Sequence, residues 1–301
     1  MAEHDGSHHV ELRPHEERQV ADRVRPRAAV LHEAIRVEGE LELHRPASSL
    51  AWSGLAAGLS MTFSLVAMGL LHAALPDAPW RKLVDSAGYV VGFLIVIIGR
   101  QQLFTENTLT PVLPALGNRD VRTFGRVLRL WGVVLLANVV GAAIGAWAVA
   151  RAGVFHADVQ AAFGAVAREA IDGSGVVHLT RGVFSGWLIA LLVWMLPGVE
   201  SSRVLVIAIL TYLIGLGGFS HVVAGSVEVA YAVVTGVTTL GDAIARFFLP
   251  TLAGNVIGGV ALVAALNHAQ SVADACPAPS RDEPNHREAE RLASGPTNEP
   301  A

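Results

Sequence analysis

The chain has 301 residues, of which 52% are hydrophobic and only 16% charged, and its mean hydropathy is +0.47. The charges crowd into the two ends and a few short loops, which excludes an ordinary water-soluble domain and indicates an integral membrane protein. A net charge of −4 gives no sign of a nucleic-acid partner, and the single cysteine, Cys276, excludes an intrachain disulfide.

Residues 1–47 form a polar N-terminal segment with no apolar core near Met1, so no cleavable secretory signal is expected and insertion begins at the first span. Within it, Val30, Leu31, Ala34, Ile35 and Val37 suggest one apolar stripe on a helix. Such a helix would lie on the membrane surface or cap a pore mouth; the alternative is a solvated extension. His4, His8 and His9 have no matching cluster of ligands and read as tail residues, so neither a metal nor another cofactor is called for.

Residues 48–268 carry the membrane domain. A first apolar block runs from about Leu50 to Leu75, long enough to cross a bilayer as one helix, and ends at the turn Pro76-Asp77-Ala78-Pro79. A second runs from about Ala87 to Ile98, is interrupted over Arg100 to Asn107, and resumes to about Leu116. A third covers about Leu130 to Val149 and a fourth about Val183 to Leu196. The fifth is broken as well: Val204 to Leu216 is apolar, Gly217 to Ser226 contains His221, and an apolar run continues to about Val237. A last block spans about Phe247 to Leu266. The continuous apolar runs, without period-two alternation, predict an all-α protein of six crossings with the second and fifth broken. Beyond about Ser271, prolines among charges make residues 269–301 a tail with the composition of disorder.

The two breaks occupy equivalent places if residues 50–150 and 183–267 are repeats of three spans. The third span carries Asn138-Val139-Val140-Gly141 and the sixth Asn255-Val256-Ile257-Gly258. Thr105 lies 33 residues before Asn138 and His221 34 before Asn255, and Ser53-Gly54 and Ser185-Gly186 open spans one and four. An odd number of spans per repeat inverts the second copy and brings both breaks near the midplane. The plainer alternative is that Asn138, Asn255 and Gly258 belong to a helix-packing motif that occurs twice. Helix termini at the breaks would offer unpaired N–H groups of positive polarity, so the expected cargo is a small anion. An ionisable residue at membrane depth is costly and marks His221 as the first candidate site residue.

Leu103-Phe104-Thr105 with Asn107-Thr108-Leu109 resembles the loop that breaks the second helix of the formate/nitrite transporter family, and Gly218-Phe219-Ser220-His221 with Ala224 resembles its fifth-helix break. Trp187-Leu188 with Leu192-Val193-Trp194-Met195 is similar to the family's fourth helix, and Gly254-Asn255-Val256-Ile257-Gly258-Gly259 to its sixth. The resemblance covers roughly residues 45–268. It implies a homopentamer of aquaporin-like protomers in the bilayer of the inner (plasma) membrane, each with its own pore for formate, nitrite, hydrosulfide or similar monovalent anions, often moved with a proton. On that likeness His221 lies between two apolar constrictions with Thr105 across from it, and donates to the anion or protonates it. Leu103 and Phe104 would form part of a constriction. The structural alternative is a histidine bonded to Ser220, Ser226 or a free backbone carbonyl.

Some positions depart from the family pattern. Ser220 stands where an acid usually precedes the histidine, Gly186 where many members have asparagine, and Arg100-Gln101-Gln102 where small residues are followed by an acid. Glu106 and Glu228 add acids close to each break. Arg100 is either an anion-attracting vestibule charge or a clamp paired with Glu106 or Glu228.

Short-loop arginines fall on both sides and do not set the orientation; Arg36 and Arg45 before span one, with an even number of crossings, favour both termini in the cytoplasm. An alternating-access proton-coupled transporter and a channel for neutral solutes would share this framework. An enzyme is not expected, because Ser220 and His221, as chain neighbours, point in different directions on a helix.

Overall fold

In the computed structural model, residues 13, 15, 28–266 and 269–270 are described, apart from the side chains of residues 262, 263 and 265. The tail histidines His4, His8 and His9, Cys276 and the stretch from Ser271 lie outside the described residues. The helices are α1 (Ala28–His44), α2 (Ala47–Ala74), α3 (Arg81–Ile98), α4 (Val112–Asn118), α5 (Val121–Arg151), α6 (Ala157–Ile171), α7 (Gly175–Met195), α8 (Arg203–Gly217), α9 (Val222–Val234) and α10 (residues 240–265). Among the described residues there is no strand. Among the described residues five stretches are long and apolar enough to cross a membrane: Ala47–Ala74, Val121–Arg151, Gly175–Gly198, Glu200–Gly217 and Leu240–Ala261. The second crossing is α3 followed by the short α4, and the fifth is α8 followed by α9, so both expected breaks are present.

The fourth crossing begins at Gly175 rather than near Val183, because Ser174 caps the helix by accepting from the Val177 N–H and carries His178, Thr180 and Arg181 into it. Helix α6, which lies between the third and fourth apolar blocks of the sequence, packs on α2 and α9. Helix α1 is present, but its buried face is not the expected stripe: Ile35, Gly39 and Leu43 are buried, while Val30, Ala34 and Val37 are exposed. It lies against α4, α5 and α7.

Close packing of α2 on α5 and of α7 on α10 sets the frame of each half. Small residues make it possible. A Cβ on Gly58 would overlap the Asn138 carbonyl, one on Gly141 the Leu55 carbonyl, one on Gly186 the Asn255 carbonyl and one on Gly258 the Val183 carbonyl. Contacts of backbone against backbone are how membrane helices associate without a hydrophobic drive between them.

Each frame then holds a break through one asparagine. Asn138 Nδ2 donates to the carbonyls of Gly54 and Gln102, both at 2.8 Å, and its Oδ1 accepts the Phe104 N–H at 2.9 Å. Asn255 Nδ2 donates to the carbonyls of Gly182 and Ser220, both at 2.9 Å, and its Oδ1 accepts the Val222 N–H at 2.8 Å. The two patterns are the same, which makes the chain an inverted 3+3 repeat and makes the asparagines loop holders as well as packing residues. They also correct the sequence alignment of the halves. Gly54 matches Gly182 and Gly58 matches Gly186, so the Ser53-Gly54 and Ser185-Gly186 pairs are not equivalent. Leu103 matches His221, and Thr105 matches Val223.

Helices α3 and α8 end in the same way. A left-handed residue follows each, Arg100 at φ 51° and Gly218 at φ 61°. The next N–H reaches back five residues, from Gln101 to the Val96 carbonyl and from Phe219 to the Ile214 carbonyl, both at 3.0 Å. Arg100 therefore sits where its counterpart is a glycine.

Asn138→Leu and Asn255→Leu each strip the partner from three buried backbone groups. Each is expected to destabilise the protein by at least about 3 kcal/mol, read as loss of the thermal unfolding transition to lower temperature in detergent micelles, with similar losses for the two variants. Arg100→Gly is expected to stabilise by about 0.5–1 kcal/mol through relief of the left-handed strain, measured in the same way.

Candidate functional site

Two cavities approach the breaks along α3. One, of about 430 Å³, is lined by Ser86, Tyr89, Ser220, His221, Glu228 and Phe247 among others. The second, of about 510 Å³, is lined by Glu38, Glu42, Arg100, Gln102, Glu106 and Asn107 among others. Tyr89 and Ile97, which face different cavities, are separated by about 12 Å along the helix axis. Phe93 lies between Tyr89 and Ile97 on α3, and Leu103, Phe104, Thr105 and Val223 of the two breaks are likewise buried. Phe104 meets Trp131 edge-on at 5.7 Å, and Phe93 meets the His221 ring edge-on at 5.0 Å.

His221 is the N-cap of α9. Its Nδ1 accepts the N–H of Val223 at 3.2 Å and of Ala224 at 3.1 Å. With that lone pair occupied, the ring proton sits on Nε2, which donates to Thr105 Oγ1 at 2.7 Å. The two residues singled out in the sequence are therefore in direct contact across the two breaks. None of the three partners named for a purely structural histidine, Ser220, Ser226 or a backbone carbonyl, is bonded to the ring.

The same geometry corrects the expected source of anion attraction. The N–H groups that open α9 are not bare: Val222 gives its proton to Asn255, Val223 and Ala224 give theirs to the His221 ring, and Gly225 gives its own to the His221 carbonyl at 2.8 Å. Buried donors have to be paired, so at this second break no open backbone donor at the start of α9 is left for an anion.

Arg100 is not a clamp on Glu106 or Glu228. Its side chain is 81% exposed and meets Glu38 of α1 at 3.2 Å. The left-handed backbone turns it out of the break, and the two acids proposed as partners line different cavities, Glu106 the second and Glu228 the first. Glu106 Oε1 and Gln101 Oε1 are buried without hydrogen-bond partners. Helix α1 reaches this cavity with Glu42, whose Oε2 accepts from Gln102 Nε2 at 3.0 Å, and Asn107 Nδ2 donates to Gln102 Oε1 at 2.9 Å. Arg129 of α5 fixes the end of α1 by donating to the carbonyls of Leu43 and Arg45.

Ser220 bonds neither His221 nor a backbone carbonyl through its side chain. Its Oγ lies 3.1 Å from Nδ1 of His178, a fully buried residue of α7. Sequence reading passed over His178 because it stands among Thr180 and Arg181 before the long apolar run. The signal was the Ser174-Gly175 helix start, which puts it inside the membrane segment.

The sequence model of the formate/nitrite transporter family matches residues 29–269, most of the chain and all of this architecture. The chain belongs to the formate/nitrite transporter family. It is similar to inner membrane protein YfdC of Escherichia coli, 44% identical over 249 residues that cover 83% of this chain and 80% of YfdC. It is 25% identical to formate channel FocA of Haemophilus influenzae over 237 residues, 69% of this chain and 81% of FocA. A solved pentameric formate channel with formate bound superposes with a TM-score of 0.66 at 19% identity, over 75% of this chain and 98% of the other. That likeness establishes the aquaporin-like protomer fold. As a family member the protein is a membrane channel or transporter and not an enzyme.

Replacing Gln102 by Leu removes the contacts of the loop with Glu42 and Asn107 and leaves Glu42 to water and Arg45. The expected result is a loss of about 1–3 kcal/mol, together with faster proteolysis of α1 in limited digestion.

Proposed function

We propose that the protein is a pore for small monovalent weak-acid anions, formate or nitrite in type, in which His221 presents Nε2–H to the passing anion. The observation that carries this reading is the capped imidazole. Its Nδ1 is held by two backbone N–H groups, and its Nε2 proton is aimed at Thr105 across the two breaks. Of the two roles the sequence leaves to His221, donating a hydrogen bond and protonating the anion, this geometry supports donation. A proton given away from Nε2 would leave an imidazolate, and a second ring proton on Nδ1 would displace both backbone donors. An anion reaching the gap takes the place of the Thr105 hydroxyl, and the proton that lets it cross Leu103 and Phe104 as a neutral acid comes from solution through the cavity. The names of relatives that are formate channels agree with this cargo.

By likeness to YfdC and to the pentameric channel, the pore works in the inner membrane as a homopentamer in the lipid bilayer, and Arg36 and Arg45 before the first span, with an even number of crossings, support both termini in the cytoplasm. The apolar residues on the outer faces, Trp52, Leu136, Trp147 and Leu205 among them, suit lipid or neighbouring protomers.

The test is uptake of labelled formate into proteoliposomes across a range of pH, with nitrite, hydrosulfide, lactate and glycerol as competitors. Uptake is expected to rise as pH falls, and His221→Ala to reduce it at least about tenfold, the cost of losing a donor to a charged group. Uptake of glycerol with no anion competition would make the protein a neutral-solute channel. Flux strictly coupled to protons and saturating at low turnover would make it an alternating-access transporter.

A further inference from the structure

Two histidines meet at the break before α9, His221 within it and His178 on α7 beside it, and the proposed pore reading uses one. His178 is fully buried on α7, yet its Nδ1 lies 3.1 Å from Ser220 Oγ, one residue before His221. Its Nε2 is buried without a hydrogen-bond partner. Phe247 meets the ring edge-on at 5.0 Å, and Gly173, at φ 133°, leaves the Nε2 side of the ring free of a side chain. The charged groups around it are Asp172 in the turn before α7, Arg181 on α7 itself and Arg246 on α10. Ser220, Asp172, Arg181 and Phe247 all line the first cavity, with Glu169 and Glu228 on its other walls. The Ser220 carbonyl is held by Asn255 Nδ2 at 2.9 Å, and its hydroxyl proton is free to rotate about the Cβ–Oγ bond.

That proton has two places to go. Against a neutral ring whose Nδ1 is a bare acceptor, the hydroxyl donates to the ring and offers the cavity only its oxygen. When Nδ1 takes up a proton from solution, the N–H donates to Oγ and the hydroxyl turns to donate elsewhere. The N–H bond gained by the ring is the only bond made, and the hydroxyl keeps its own hydrogen throughout.

We propose that His178 is a positioning residue for the anion: in its protonated form it turns the Ser220 hydroxyl into the first cavity as a second donor, beside His221, for the arriving weak-acid anion. This rests on the anion-pore reading. It gives Ser220 a purpose that its place in the sequence alone did not reveal, because the histidine that controls it is 42 residues away.

The test is a double-mutant cycle on KM for formate uptake in proteoliposomes, with Ser220→Ala and with His178→Phe, which keeps a ring beside Phe247 but has no Nδ1. In the presence of His178, Ser220→Ala is expected to raise KM about five- to tenfold at about pH 4.5 and less than about twofold at about pH 7.5. On the His178→Phe background the effect of Ser220→Ala is expected to be the same at both pH values, and Ser220→Thr is expected to retain the wild-type pattern. A Ser220→Ala effect independent of pH, or unchanged by His178→Phe, overturns the proposal. So does a His178→Phe variant that loses maximal rate and thermal stability together at constant KM, which marks a packing residue. A second measurement does not depend on transport. Nitrogen NMR of histidine-labelled protein is expected to show an acid-induced shift of the His178 Nδ1 resonance that Ser220→Ala alters; no such difference overturns the pairing. Wild-type protein that takes up no small anion while this shift is present refutes the pore reading and not the coupling of His178 to Ser220.

Discussion

A polypeptide that breaks a helix inside a bilayer strands backbone donors and acceptors where no water can meet them, and the whole arrangement here answers that constraint. Two carboxamides meet it. Each donates twice and accepts once, tying a neighbouring helix and both sides of a break together with a single side chain. The glycines that let α2 lie on α5 and α7 on α10 follow from the same need, because a short side chain such as asparagine reaches three backbone groups only if the helices nearly touch.

The site inherits its chemistry from that scaffold. Once Asn255 has taken the Val222 N–H, the next two donors of α9 remain, and the His221 ring fills that place as the cap. Capping settles which ring nitrogen carries the proton and points it at Thr105. On the proposed reading, a structural duty and a functional one fall on the two nitrogens of one imidazole, and neither can be changed without the other.

Much of this was legible in the sequence. Apolar runs gave the six crossings, charged or glycine-rich interruptions gave the breaks, and the repeated Asn-Val-x-Gly of Asn138 and Asn255 exposed the duplication. What escaped depended on register and on distance along the chain. Counting residues could not decide whether Gly182 or Gly186 answers Gly54, since both lie on one face of α7; hydrogen bonds to Asn255 and Asn138 decide it. Arg100 looked like a buried charge because it sits between apolar stretches, but its left-handed backbone directs it outward to Glu38, on a helix 62 residues earlier. His178 fell outside the fourth apolar block because Thr180 and Arg181 separate it from that block. Open N–H groups were the reasonable expectation at a broken helix, and only the coordinates reveal that side chains had already claimed them.

The matched slots of the two halves hold different residues, Leu103 in one and His221 in the other, on backbones tied in the same way. The scaffold is symmetric and its chemistry is not. On the pore reading, the first cavity is lined in part by the His221 imidazole and the second by the side chains of Gln102 and Asn107, with the buried Leu103 and Phe104 in the break itself. The duplicated three-helix unit then has two unlike mouths because matched positions differ, Leu103 against His221, Thr105 against Val223 and Arg100 against Gly218, and the sidedness of the proposed pore is written in those pairs rather than in its fold.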